Sequence, residues 1–255
     1  MIKFKPVKQS GWTMKHIGRY FMFMGSLFIK RESFMTYVRL TVDECIKVGI
    51  DSIFIVVIVS TFIGAVTAVQ TAYNLVSPLV PNYIISVIVR DSILLELAPT
   101  ITAVVFAGKV GSNMAGELGT MRITEQIDAL EVMGINSSSF LALPKIIACL
   151  LMYPMLVILA AFLGMIGGYF AATLTGQMTP DEYIYGIRDQ FIHFNVTFML
   201  IKSYVFAFLI SSISSFTGYY TKGGALEVGK ASTKAVTSSC IAILSADYLL
   251  AQLLL

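Results

Sequence analysis

Apolar residues along the chain are concentrated in five segments, separated by shorter polar stretches. The segments cover about residues 53–73, 83–108, 141–174, 196–216 and 236–255. A helix needs about 20 mostly apolar residues to cross a hydrocarbon core about 30 Å thick. Membrane-spanning strands would instead need short alternating segments, which this pattern lacks. The pattern therefore predicts an all-α polytopic membrane protein with five transmembrane helices.

The composition agrees with a chain whose main solvent is lipid. Hydrophobic residues make up 56% of the 255 residues and charged residues only 13%, whereas soluble domains have about 25% charged residues. A buried helix of a soluble protein could explain one apolar segment. Five such segments in one chain leave too few charges for a soluble surface, so the composition argues against a soluble enzyme.

The basic residues predict the orientation of the chain in its membrane. Lys and Arg are retained on the cytoplasmic side, and 15 of the 18 fall on that side if the N-terminus is inside. Arg90, Arg188 and Lys202 remain for the other side or for the membrane itself. An odd number of spans then places the C-terminus outside. Since the basic residues flank spans and form no run with exposed aromatics, the net charge of +3 does not indicate nucleic-acid binding.

The N-terminal region differs from the spans in composition. Residues 11–47 mix aromatic and methionine side chains with basic ones, which is typical of helices that lie in the membrane interface. A short helix that barely spans, around residues 20–29, is the alternative. We assign residues 1–48 to N-terminal cytoplasmic or interfacial helices.

An amphipathic segment lies between the second and third spans. Apolar residues recur at helical spacing from Ile123 to Met133, while Arg122, Glu125 and Asp128 fall on the remaining face. Gly134 is a suitable helix terminator. We predict a short cytoplasmic helix within about residues 117–134, which is either a simple connector or a helix that docks into a groove of a partner.

Three of the charged residues within the predicted spans are candidates for a functional site. Glu96 lies in the second span close to Pro99, and Asp247 lies in the fifth. Because a carboxylate inside a membrane is costly, it normally faces a cavity or a partner. Lys202, near the outer start of the fourth span, is the nearest countercharge by depth. An internal hydrogen bond between helices is an equally good explanation of Asp247.

No motif for hydrolysis, nucleotide binding or metal binding is present. The three cysteines lack CxxC spacing and the two histidines are isolated. Residues 224–231 nearly match a phosphate-binding loop, but Ala231 replaces the Ser or Thr that binds magnesium. The segment also follows a membrane span rather than a strand. We therefore expect no cofactor, no metal and no ATPase site in this chain.

Four strings together resemble the MlaE permeases, the membrane subunits of ABC transporters that work with MCE-domain proteins. These strings are ELAP at residues 96–99, FAGKVGS at 106–112, AGELGTM at 115–121 and EQIDALEVMG at 125–134. The resemblance covers about residues 10–255 and implies an MlaE-type permease domain over residues 49–255.

The resemblance also implies partners and a location. Members form homodimers in the inner membrane of Gram-negative-type bacteria, bind a dimer of a cytoplasmic ATPase that holds ATP and magnesium, and exchange phospholipid with a periplasmic MCE-domain protein. Residues 117–134 would then contain the coupling helix to the ATPase. The coupling residues are expected to be Glu117, Arg122, Glu125, Gln126, Asp128, Glu131 and Met133.

A lipid path needs an apolar cavity with few polar anchors. The residues expected along it are Gln70, Asn74, Leu75, Glu96, Lys202 and Asp247, and the Lys202 ammonium could meet a phosphate. An ion-coupled secondary transporter that uses Glu96 or Asp247 as a proton carrier is the main alternative. A membrane scaffold that only recruits a partner is a third, and a sterol could replace the phospholipid.

Overall fold

The computed structural model describes residues 9–27, 29, 34–75 and 81–254, and all of its regular structure is helical. The helices are α1 (Gln9–Ser26), α2 (Met35–Asn74), α3 (Tyr83–Ile123), α4 (Gln126–Val132), α5 (Ser137–Leu174), α6 (Pro180–Arg188), α7 (His193–Tyr219) and α8 (Ala225–Leu254). Among the described residues, α2, α3, α5, α7 and α8 are long and apolar enough to cross a membrane. The predicted all-α fold with five spanning helices is confirmed.

Two of the long helices extend well beyond the apolar segments. α2 has 40 residues and α3 has 41, so each is about 60 Å long, twice the thickness of the hydrocarbon core. The apolar run of α3 was expected to end near residue 108, but the helix continues through Lys109 and Glu117 to Ile123. Hydropathy therefore marks the part of a helix that lipid covers, and not the point where the helix ends.

The five long helices differ in how much of their apolar surface the fold covers. Half of the most apolar 18-residue window is buried in each of α3, α5 and α7, compared with 28% in α2 and 11% in α8. α3, α5 and α7 consequently form the centre of the bundle. α2 lies against α5, and α8 lies against α7 and α3.

Glycines allow α2 and α5 to approach closely. Gly64 of α2 faces the backbone of Gly164, and Gly167 of α5 faces the backbone of Thr61. A Cβ atom at either Gly64 or Gly167 would fall on a backbone carbonyl group of the other helix. This is the small-residue packing that brings membrane helices into contact over their backbones.

α1 and α4 lie at one end of the bundle, which we call the α4 end. Phe23 and Leu27 are buried there against Ile127 of α4, Ala142 of α5 and Tyr219 of α7. Ile127 has no exposed surface, so it anchors the short helix to the bundle. The N-terminal segment thus contributes directly to the position of α4.

The opposite end, which we call the α6 end, is held by a buried arginine. Arg90 of α3 is 1% exposed and donates hydrogen bonds to the carbonyl oxygens of Ile187 (2.9 Å) in the last turn of α6 and of Asp189 (2.6 Å) just after that helix. It also pairs with Asp91 at 3.0 Å. A buried guanidinium with several hydrogen-bond acceptors explains why Arg90 is tolerated inside the fold.

α6 begins with a capping box. The backbone N–H of Thr179 donates to Glu182 Oε2 (2.9 Å), and the backbone N–H of Glu182 donates to Thr179 Oγ1 (3.3 Å). These bonds satisfy two backbone donors at the start of the helix. The hydrogen bond from the Thr179 backbone, together with the Thr179 hydroxyl, lowers the pKa of the Glu182 carboxyl.

Candidate functional site

Lys202 is the centre of a cluster of charged groups that joins three spanning helices. Its side chain is completely buried, and Nζ lies 2.8 Å from Glu96 Oε1 of α3 and 2.7 Å from Asp247 Oδ1 of α8. The same ammonium donates to the carbonyl oxygen of Leu95 at 2.9 Å. We call Glu96, Thr100, Lys202 and Asp247 the Lys202 cluster.

The local backbone of α3 explains why this position can hold an ammonium group. Residues Ile93–Ile101 form a wide π-helical segment that contains Pro99. A π-helical turn pairs the Leu95 carbonyl with the N–H of residue 100 rather than residue 99, which accommodates Pro99 because proline has no N–H. Lys202 supplies a donor to that carbonyl, and the Tyr153 hydroxyl donates to the carbonyl of Pro99 at 2.6 Å.

The Lys202 cluster contains one more acidic group than basic groups. Thr100 Oγ1 lies 3.3 Å from Glu96 Oε2 and 3.2 Å from Asp247 Oδ1, so its single proton can be donated to either carboxylate. The Glu96 side chain is 47% exposed, compared with 17% for Asp247. Glu96 is therefore the open side of an otherwise enclosed ion-pair cluster.

The other expected lipid-path residues lie apart from this cluster. Gln70 and Asn74 are exposed near the α6 end of α2, and Leu75 follows that helix half-buried against the apolar core. In the described part of the chain, neither the Gln70 nor the Asn74 side chain forms a hydrogen bond with the Lys202 cluster. The structure thus brings together three of the six expected residues and adds Thr100, which sequence reasoning missed.

A second group of charges ties three helices together toward the α4 end. Lys145 of α5, whose side chain is 4% exposed, lies 2.9 Å from Glu44 Oε1 of α2 and 2.6 Å from Glu117 Oε2 of α3. Lys47 lies 3.3 Å from the same Glu44 oxygen. Glu117 was expected on the coupling helix, but it belongs to α3 and to this ion-pair network.

The coupling segment is divided by a turn. α3 ends at Ile123, Glu125 adopts a left-handed conformation with φ of 60°, and α4 then starts at Gln126. At the far end of α4, Val132 is 90% exposed and Met133 is 66% exposed. The exposed surface of this segment is therefore an apolar tip beside polar side chains.

Several of the acidic side chains on this segment are used internally. Arg122 Nη1 donates to Asp128 Oδ1 at 2.7 Å. Glu131 Oε1 accepts hydrogen bonds from Ser137 Oγ (2.9 Å) and from the Tyr219 hydroxyl (3.1 Å). Of the expected coupling residues, this leaves Glu125, Gln126 and Met133 exposed at the surface without such a contact.

Tyr219→Phe should lower the thermal stability of the purified protein. The Tyr219 hydroxyl is within hydrogen-bond distance of Ser137 Oγ (2.7 Å) and Glu131 Oε1 (3.1 Å), and each such bond contributes about 1 kcal/mol. We expect a loss of about 1–2 kcal/mol in detergent unfolding. Tyr220→Phe is the matched control, since the Tyr220 hydroxyl has no hydrogen bond among the described residues. Equal stability of the two variants would contradict this assignment.

Comparison with known proteins relates this architecture to transporters. The family described as "Permease MlaE" matches residues 41–253. A "Probable ABC transporter permease protein" of Rickettsia bellii is 36% identical over 217 residues, which are 85% of this chain and 83% of the relative. The "Probable ABC transporter permease protein slr1045" of Synechocystis is 34% identical over 243 residues, covering 95% and 92% of the two chains.

A plant protein is also similar. The Arabidopsis thaliana protein TRIGALACTOSYLDIACYLGLYCEROL 1, which is chloroplastic, is 33% identical over 214 residues, or 84% of this chain and 61% of the plant protein. Because the family match covers residues 41–253 and the bacterial relatives align over most of their length, this chain belongs to the MlaE family of ABC transporter permeases.

Proposed function

We propose that this permease moves phospholipid between the inner membrane and a periplasmic MCE-domain carrier, driven by a separate cytoplasmic ATPase dimer. The observation that carries this proposal is the Lys202 cluster: a buried ammonium within a membrane-spanning bundle, closed on one side and open at Glu96. A site of this kind suits a molecule that is apolar over most of its surface and charged at one point.

The chemistry of the Lys202 cluster matches a phospholipid head group. A phosphate oxygen can replace a carboxylate oxygen beside Lys202, because both form short charge-assisted hydrogen bonds with an ammonium. The carboxylate so released is then free to accept from a head-group amine. The name of the Arabidopsis relative is that of a glycerolipid, which supports a lipid as the transported molecule.

The exposed tip of α4 supports a separate ATPase as the source of work. Val132 and Met133 project from a short helix that Ile127 holds firmly to the bundle. Helices with apolar residues at their surface commonly dock into a groove of a partner protein. Because Glu131 of α4 is bonded to Tyr219 of α7, movement of α4 would reach the helix that carries Lys202.

The exposed face of α8 supports a second copy of the chain as a partner. Only 11% of its apolar window is buried, and Thr233, Thr237 and Ser245 are exposed on it. Each of these hydroxyls donates to the carbonyl four residues earlier in α8, so these residues favour a partner through their small size, which lets a second helix approach closely. A homodimer would cover this face.

The proposal is tested by purifying the tagged chain from its native membrane in mild detergent and identifying proteins and lipids by mass spectrometry. We expect an ATPase, an MCE-domain protein and phospholipid to be recovered together, and ATP to drive lipid transfer after reconstitution. Uptake that depends on a proton gradient and not on ATP would instead favour an ion-coupled carrier that uses Glu96 or Asp247. Transfer without any ATPase would overturn the proposal.

Val132→Asp should separate the permease from its ATPase. Val132 is 90% exposed at the tip of α4, so the substitution is tolerated by the fold but places a carboxylate in the proposed apolar groove. We expect ATPase co-purification to fall about tenfold or more, because the cost of burying that charge exceeds the ~1.4 kcal/mol that changes affinity tenfold. Leu174→Asp is the control, since Leu174 is 84% exposed at the α6 end. Unchanged recovery with Val132→Asp would remove α4 from the interface.

A further inference from the structure

A charged cavity lies on the side of α3, some distance from the Lys202 cluster and toward the α4 end. Its volume is about 900 Å³, and its walls come from α2, α3 and α8. Lys109 and Asn113 are exposed on the α3 wall, while Asp51 is exposed on the α2 wall. Ser232 contributes from α8.

Lys109 is the least neutralised cation of this cavity. Its ammonium donates to the backbone carbonyl of Asp51, and among the described residues it forms no ion pair with a carboxylate. Lys47 differs, since it lies 3.3 Å from Glu44 and 3.8 Å from Glu117. Lys109 therefore retains both its charge and spare N–H donors for an anion that enters the cavity.

Acidic groups line the same cavity close to that cation. The Asp51 carboxylate forms no ion pair within the described part of the chain, whereas Glu117 already pairs with Lys145 (2.6 Å) and Lys47 (3.8 Å). Asp51 is therefore the acidic group of this cavity that is left for a cation. A ligand that carries an anion and a cation a few atoms apart would be matched at both ends. A purely anionic ligand would be attracted by Lys109 but repelled by the unpaired Asp51 carboxylate.

An uncovered strip of α3 connects the cavity with the Lys202 cluster. Val104 is 41% exposed, and a Cβ atom built at Gly108 would meet no atom within 4 Å. Thirteen residues separate Glu96 from Lys109, which corresponds to about 20 Å along a helix. The strip between the two charged sites carries small or apolar side chains, as acyl chains require.

We propose that this cavity binds the head group of a zwitterionic phospholipid, with the phosphate at Lys109 and the amine at the Asp51 carboxylate. The inference rests on the proposed lipid-transport function and adds a second lipid position to it. A lipid bound here would lie in the leaflet at the α4 end, with the strip of α3 leading toward Lys202.

Photo-crosslinking tests this position directly. The photoreactive residue benzoylphenylalanine replaces Asn113 in the cavity or, in a second variant, Val104 on the strip. The complete complex is placed in nanodiscs that contain equal amounts of phosphatidylethanolamine and phosphatidylglycerol. After illumination, mass spectrometry identifies the adducts. We expect a phosphatidylethanolamine adduct at position 113 that exceeds the phosphatidylglycerol adduct.

Lys109→Gln should reduce the adduct at position 113 about tenfold, the scale of one lost hydrogen bond to a charged group. Lys230→Gln is the control, since Lys230 pairs with Glu227 on α8 and does not line this cavity. An adduct that Lys109→Gln leaves unchanged would overturn the proposal. A preference for phosphatidylglycerol would overturn it as well.

The two crosslinking positions separate failure of this inference from failure of lipid transport. A lipid adduct at position 104 without one at position 113 would leave the transport function standing and remove the second site. A crosslink from position 113 to a second copy of the chain would show that the cavity belongs to a dimer interface and would overturn the proposal. Absence of lipid adducts at both positions would count against the second lipid position and against the lipid-transport function.

Discussion

Lys202→Met is expected to destabilise the protein by about 3–5 kcal/mol. The substitution removes the cation that Glu96 and Asp247 share and leaves two carboxylates side by side within the bundle, which is the costly case of a broken buried ion pair. It also leaves the Leu95 carbonyl without its side-chain donor. Unfolding of the purified protein in detergent, followed by loss of helical signal, measures the effect.

Two further variants separate charge from shape in this prediction. Lys230→Met removes an exposed lysine that pairs with Glu227 and should change stability by less than about 1 kcal/mol. Combining Lys202→Met with Glu96→Gln and Asp247→Asn removes every formal charge and should recover much of the stability, but not the bound phospholipid. If Lys202→Met alone were as stable as the control, the cluster would not be a structural unit of the bundle.

Gly64→Ala is expected to disrupt the contact between α2 and α5. The added Cβ would lie on the carbonyl group of Gly164, and a backbone carbonyl cannot move aside as a flexible side chain can. The helices must separate, so we expect a loss near or above the upper end of the ~1–3 kcal/mol typical of overpacked sites. Thermal unfolding and the yield of folded protein measure it.

Gly108→Ala is the matched control for that substitution. No atom lies within 4 Å of a Cβ built at Gly108, and alanine is favoured over glycine inside a helix by up to about 1 kcal/mol. Gly64→Ala should therefore lower the stability of the protein, whereas Gly108→Ala should raise it. A similar loss of stability in both variants would show that the close approach at Gly64 is not what limits the packing.

The number and type of the helices were predictable because lipid imposes a long apolar run on each spanning helix. The ends of α2 and α3 were not. Lys47 and Lys109 look like the limits of their spans, yet both lie within continuous helices. Lys47 approaches Glu117 of α3, and Lys109 donates to the backbone carbonyl of Asp51 in α2. Both are tertiary contacts, which no local pattern contains.

The candidate site likewise contains residues that the sequence predicts and residues that only the tertiary contacts reveal. The free-energy cost of a charge inside a membrane was enough to propose Glu96, Lys202 and Asp247. Lys202 was suggested as the countercharge by its expected depth in the membrane alone. Thr100 could not be proposed, because a threonine in a helix is unremarkable until its neighbours are known. Glu131 is exposed, as its expected role toward a partner requires, but the sequence could not show that its carboxylate also accepts hydrogen bonds from the Tyr219 and Ser137 hydroxyls.

The hydrogen bonds of Arg90 at the α6 end have a mechanical consequence. By binding carbonyls at and just after the end of α6, ahead of α7, from its place on α3, Arg90 makes the ends of these three helices behave as one stationary frame. α8 packs along α3 and α7 with only 11% of its apolar window buried, and Asp247 adds polar contacts to Lys202 of α7 and Thr100 of α3. Under the proposed function, a lipid phosphate that displaces Asp247 would loosen α8 relative to α7, so binding of the transported molecule would weaken the attachment of the spanning helix whose apolar surface is least buried.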